Sequence, residues 1–192
     1  MPGKYHRRHT PNMDEKKKEQ ILKKASDLAA QYEEKYGGCG QAVMAALQDA
    51  FQMPNDAVFK AMSGYAGGGA TVGDGGCGAY VAGILWLSGL RGRERNNFAD
   101  PERIRFESFA LARKLHTDFI DEYGSIICRE MQMKLFGRPY YLPDADEMKK
   151  FLEAGGHTTV CPVVCGNAAR WAAEIAFEEG LIPEAKVKEL TK

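Results

Sequence analysis

Apolar residues recur every three to four positions along most of this chain, which is the spacing of one face of an α-helix. A first helix is predicted between Met13 and Tyr36, and Gly37-Gly38 ends it. A second is predicted from Cys39 to Phe51, and a short third one follows the turn at Pro54. Cys77 to Leu90 predicts an apolar helix rich in small residues, which should be buried on most sides.

The second half of the chain continues the same pattern. Helices are predicted from about Pro101 to Tyr123, from about Ile127 to Phe136, from the cap Asp144 to about Ala154, from Cys161 to Glu179, and after Pro183. No segment alternates with a period of two for long enough to predict a strand. The sequence therefore predicts an all-α, single-domain multi-helix bundle, with a glycine-rich loop before a central buried helix. Residues 1–12 are expected to form a loose tail, and residues 13–192 one domain.

Composition narrows the classes of partner. Lys and Arg number 26, as do Asp and Glu, so no net charge attracts nucleic acid, and no nucleic-acid partner is expected. The apolar run from Tyr80 to Leu90 is too short to span a bilayer, so no membrane insertion is expected. The start of the chain shows no secretory signal pattern, and five cysteines cannot all pair, so a reducing cytoplasmic location is expected.

Cysteines carry the candidate chemistry. Cys39, Cys77 and Cys128 each follow a glycine or a Gly-Ser turn and open a predicted helix. Cys161 and Cys165 open the last long helix, and Pro162 at the first helical position would make Cys161 the cap residue. The positive end of a helix favours a thiolate, which binds soft metals and attacks disulfides. The pattern therefore predicts a cysteine site with redox or metal chemistry.

A glycine-rich stretch, Gly64 to Gly78, precedes Cys77's helix, and its last six residues fit the G-x-G-x-x-G pattern. No strand precedes it, so a dinucleotide loop is not predicted. We interpret the glycines as allowing a close backbone approach, and expect Gly75, Gly76 and Gly78 to line the cysteine site. His157 is also expected to line it, as a ligand or proton carrier. The attachment motif C-x-x-C-H is absent, so no c-type haem is expected.

Four short blocks resemble the C-GCAxxG-C-C family of "putative redox-active proteins", which includes relatives of split-Soret cytochrome c. The resemblance spans roughly residues 36–177, with Ala82 where the signature's final glycine is expected. It implies a helical fold and a cysteine site, while Cys165 is additional to the four-cysteine pattern. The split-Soret relatives also make a homodimer one option. The blocks are Cys39-Gly-Gln-Ala-Val, Gly76-Cys77-Gly78-Ala79, Cys128-Arg129-Glu130 and Cys161-Pro-Val-Val.

Three hypotheses remain open from sequence. In the first, an electron-transfer protein binds an iron–sulfur cluster through Cys77, Cys128, Cys161 and Cys165, with Cys39 competing for one place, and exchanges electrons with an unidentified redox partner. In the second, the protein performs thiol–disulfide chemistry with Cys161–Cys165 or Cys39–Cys77 as the couple. In the third, a structural zinc site holds the helices together; it ranks last because C-x-x-C hairpins are absent.

Overall fold

The structure, a computed structural model, describes residues 14–190 of the 192-residue chain. The expected loose tail at residues 1–12 lies outside these residues. Within them the fold is all-α, with nine helices and no strand, as predicted. The helices are α1 (Glu15–Tyr36), α2 (Cys39–Phe51), α3 (Asp56–Ala61), α4 (Gly78–Leu90), α5 (Ile104–Tyr123), α6 (Cys128–Phe136), α7 (Ala145–Glu153), α8 (Cys161–Glu178) and α9 (Glu184–Leu190).

Helix α8 lies at the centre of the bundle and packs against α1, α2, α4 and α5. Its inner faces are made of alanines that are completely buried, so neighbouring helices approach closely. Helix α4 contacts α2, α5 and α8, as expected of a central helix, although Leu85 on its outer face is 42% exposed. The core between these helices includes Phe51, whose ring packs against Trp86 and Phe177.

Helix α5 begins three residues later than the proline pattern predicts. Asp100 is buried and its carboxylate accepts hydrogen bonds from the backbone N–H groups of Ile104, at 2.6 Å, and Arg105, at 3.1 Å. These are donors that a helix start leaves without partners, so the carboxylate fixes where the helix begins. Pro101 therefore lies in the turn before α5 rather than in its first turn.

Between α7 and α8 the chain forms a five-residue π-helical turn, Gly156–Val160. A small second apolar cluster of Tyr140, Leu142 and Phe151 packs beside this turn, with Phe136, Met148 and Cys161 against it. Among residues 14–190, none of the helices combines the length and apolar character needed to cross a membrane.

Candidate functional site

The glycine-rich loop is pinned to the start of α6 by backbone hydrogen bonds. The N–H of Cys77 donates to Ile126 O at 2.7 Å, and the N–H of Cys128 donates to Gly75 O at 3.0 Å. Gly76 and Ile127 form the isolated antiparallel bridge between the same two segments. This short pairing places Cys77, the N-cap of α4, beside Cys128, the first residue of α6.

Cys39, the first residue of α2, lies against the start of α4. A Cβ atom at Gly78 would be 2.5 Å from Cys39 Sγ, so only glycine leaves space for the sulfur there. The Cys39 and Cys77 side chains share a hydrogen bond, and the backbone N–H of Gly67 donates to the Cys39 sulfur. The glycine-rich loop therefore supplies an N–H donor to the Cys39 sulfur through Gly67.

The other two cysteines come from α8. Cys165 is completely buried, and its thiol donates a weak hydrogen bond to the backbone oxygen of Cys39 at 3.9 Å. Cys161 was predicted to cap this helix, and that prediction is wrong. Its backbone is helical and its N–H already donates to Gly156 O, because the π-helical turn runs directly into α8. The Cys161 thiol therefore does not lie at a free helix N-terminus.

All five cysteines of the chain line one cavity of about 290 Å³. Three of them begin or cap different helices, and two come from α8. Much of the remaining wall is apolar. It is formed mainly by Met131, Leu135, Phe136, Leu142, Met148, Phe151 and Val164. The fold thus places cysteines that are up to 126 positions apart in the sequence around one cavity. The hydrophobic pattern of the sequence does not predict this arrangement.

The expected lining glycines lie elsewhere in the site. Gly78 contacts Cys39, as described above, and Gly75 accepts the hydrogen bond from Cys128. Gly76 is in the bridge, beside Ile126 and Tyr80. The glycines that line the cavity itself are Gly37, Gly38 and Gly67. His157 does line the cavity, as expected.

Burial opposes ionisation of the thiols. Its effect raises the pKa of Cys128 to about 12 and the pKa values of Cys161 and Cys165 well above their ordinary range. The pKa of Cys39 is also raised well above 9.0, first by its hydrogen bond with Cys77 and then by burial, with a smaller opposing effect from the Gly67 N–H. The expectation that helix ends would favour thiolates is wrong for these four residues. Desolvation, together with the Cys77 hydrogen bond at Cys39, outweighs the effect of the helix dipole.

Two polar residues of the cavity were not predicted. Gln132 is buried, donates to Cys128 Sγ at 3.6 Å and accepts from the N–H of Tyr140 at 2.7 Å. Glu33 is 1% exposed and accepts a hydrogen bond from His157 Nδ1 at 2.8 Å. A signal for Glu33 exists in the sequence, because it continues the apolar stripe of Ala25 and Ala29 at intervals of four.

Among residues 14–190, no three His, Cys, Asp or Glu side chains are grouped closely enough to hold a single metal ion. The thiols are distributed around the cavity wall instead. The donor set fits an iron–sulfur cluster in kind, because cysteine thiolates are the usual cluster ligands. The close approach of the loop at Gly78 and the N–H donated by Gly67 also fit such a group.

Comparison with known families gave a match. Residues 38–175 match the family described as "Putative redox-active protein (C_GCAxxG_C_C)", which is well over half of the chain. The chain belongs to the C_GCAxxG_C_C family. Comparisons with curated proteins and with solved structures gave no match. All five cysteines that line the cavity lie within the residues that match the C_GCAxxG_C_C family. The segment that defines the family therefore supplies every thiol of the site.

Proposed function

We propose that this protein transfers electrons through an iron–sulfur cluster held by its cysteine cavity. The observation that carries the proposal is that all five thiols, drawn from four helices, line one cavity in a protein of a redox-active family. When bound, the cluster would supply one-electron chemistry at a buried site.

Cys77, Cys128 and Cys161 are the ligands that the proposal requires. The fourth place belongs to Cys39 or to Cys165. The structure favours Cys39, because its sulfur accepts the Gly67 N–H, and a donor of this kind stabilises a thiolate. The Cys165 thiol instead donates its proton to the Cys39 backbone oxygen. A thiol in that role packs the site and keeps its hydrogen.

Residues that are not ligands orient the thiols and exclude water from the cavity. Gln132 holds Cys128 by its side-chain amide while Tyr140 holds Gln132, so the orientation of that thiol is fixed by two successive hydrogen bonds. The apolar wall around Phe136 and Phe151 excludes water, which tunes the potential of a redox centre. Because the pKa values of Cys128 and Cys161 are raised, binding of a metal must release protons from these two thiols.

One observation supports a second function. The hydrogen bond between Cys39 and Cys77 brings two thiols together, so these residues are the pair for thiol–disulfide chemistry. The raised pKa of Cys39 makes it a slow attacking group at neutral pH, which ranks this function below the first.

Anaerobic purification with iron, sulfide and zinc analysis and an absorption spectrum tests the proposal. We expect a brown protein with matching iron and sulfide, and loss of both in Cys77→Ser, Cys128→Ser and Cys161→Ser. Met131→Leu is the matched control, since Met131 lines the same cavity but carries no thiol and the change conserves volume. Unchanged iron in all three serine variants would overturn the ligand assignment. A colourless, iron-free protein that forms a Cys39–Cys77 disulfide would favour the second function.

A further inference from the structure

Glu33 is an acid in a place where acids are rarely found. It lies on the inward face of α1, its side chain is 1% exposed, and it lines the cysteine cavity. One carboxylate oxygen, Oε1, is bonded to His157, but the other, Oε2, is buried and has no hydrogen-bond partner among residues 14–190. A buried oxygen left without a donor is costly, so its presence calls for a role that packing does not supply.

His157 joins this acid to the solvent. Its Nδ1 lies 2.8 Å from Glu33 Oε1, while 30% of its side chain is exposed. The ring is held by an edge contact with Phe151, at 5.3 Å between centroids, and packs against Gly37. The hydrogen bond to Glu33 raises the pKa of His157, against an opposing effect of burial. The pair therefore extends from the protein surface to the cavity.

The charge of Glu33 acts on the thiols. Burial, and at Cys39 first the hydrogen bond with Cys77, raises the pKa values of Cys39, Cys161 and Cys165, and the charge of Glu33 adds a smaller increase at each. These cysteines come from the two helices packed against α1. Negative charge added at the thiols is therefore repelled by the buried Glu33 carboxylate in the wall of the same cavity. Of the described residues that line the cavity, the other titratable groups are Cys77, Cys128 and Tyr36, and none is a Lys, Arg or Asp. No fixed cation in the lining compensates an added electron.

We propose that Glu33 and His157 take up one proton for each electron that enters the cysteine cavity. The inference rests on the proposed electron-transfer function and deepens it. A one-electron donor supplies the electron. Glu33 changes from carboxylate to carboxylic acid as a proton leaves the solvent and forms an O–H bond at Oε2, while Oε1 keeps the hydrogen bond from His157 Nδ1. One electron and one proton enter together, so the buried charge does not change. Oε2 is the oxygen free to carry the added hydrogen.

The test is a redox titration of the anaerobically purified protein over a range from mildly acidic to mildly alkaline pH. Coupling of one proton to one electron lowers the midpoint potential by about 59 mV per pH unit, the value for a tenfold change in a one-electron equilibrium. We expect this slope in the wild type and a nearly flat line in Glu33→Gln. Glu34→Gln is the matched control, because Glu34 is the next residue of α1 and is exposed, and it should keep the slope.

His157→Gln provides a second variant at a half-exposed position, where folding is less at risk. It keeps a hydrogen-bond donor toward Glu33 but removes the cation. The pH range over which the midpoint potential falls should therefore move to higher pH. A flat wild-type line with iron and sulfide present would overturn the inference alone. A slope retained in Glu33→Gln, or an unmoved range in His157→Gln, would do the same. Absence of iron and sulfide from the wild type would overturn the proposed function, and the inference with it.

Discussion

Cys39 Sγ occupies the space that a side chain at Gly78 would need, with only 2.5 Å between the sulfur and an ideal Cβ at residue 78. The same Cβ would lie 2.8 Å from Tyr65 O and 2.9 Å from Gly40 N, which are backbone atoms that cannot move independently. The first residue of α4 is therefore a glycine for reasons of packing against α2. This contact sets the position of one sulfur relative to the loop.

Gly78→Ala should destabilise the protein and displace Cys39. Overpacking of this kind costs about 1–3 kcal/mol, so the free energy of unfolding should fall by that amount. Gly89→Ala is the control in the same helix, because a Cβ there meets nothing within 4 Å, and it should stabilise by about 0.5–1 kcal/mol. Denaturant unfolding of both variants measures the difference. Equal stabilities would contradict the packing account.

Four thiols of the reduced, metal-free protein should react slowly with alkylating reagents, namely those of Cys39, Cys128, Cys161 and Cys165. A pKa of about 12 for Cys128 leaves a thiolate fraction roughly a thousandfold smaller than that of a thiol with the reference pKa of 9.0 at neutral pH. Peptide mapping after timed iodoacetamide treatment at several pH values measures the rate at each cysteine. The protein unfolded in denaturant is the control and should react at the ordinary rate. Equal rates in the two states would show that burial does not suppress ionisation.

Serine substitutions should separate the roles of Cys39 and Cys165. Cys39→Ser removes the sulfur that accepts the Gly67 N–H and should lower iron content strongly. Cys165→Ser changes a thiol that donates to a backbone oxygen, a role that a hydroxyl can take, and should leave iron content nearly unchanged. Iron analysis of the two purified variants decides the point. The reverse result would assign the fourth ligand place to Cys165, which was the expectation from the sequence.

His157 should contribute to stability in a defined pH range. The pKa of His157 in the folded protein is raised above its reference value of 6.5 by the bond to Glu33. The favourable contribution is therefore complete below about pH 6.5 and is lost as the pH rises through the folded-state pKa. The difference in unfolding free energy between wild type and His157→Gln should follow this course. His116→Gln is the control, because the His116 ring contacts Tyr80 and not Glu33. The difference in unfolding free energy between wild type and this variant should not contain the contribution of the bond to Glu33. If the difference in unfolding free energy between wild type and His157→Gln increased as the pH rose, the predicted direction of the pH dependence would be wrong.

Part of this site could be predicted because it depends on local order. A glycine or a Gly-Ser turn before an apolar run of helical period predicts where a helix begins. The helix starts predicted in this way are confirmed at Cys39, Cys77 and Cys128. The prediction is wrong at Cys161, where Pro162 predicts a helix start with Cys161 as its cap. In the structure the chain winds there into a π-helical turn that continues into α8. A widened turn depends on what packs beside it, here Phe151 against Gly156, and periodicity does not record it.

The sequence alone determined the helices, the absence of strands from the part described, and the family blocks that hold the cysteines. These follow from spacing along the chain, which acts over three to four residues. Only the tertiary structure decided that five cysteines share a cavity with Glu33 and His157, and that burial suppresses ionisation of Cys128, Cys161 and Cys165. The balance between a helix dipole and desolvation depends on which groups surround a sulfur in space, and those groups lie far apart along the chain.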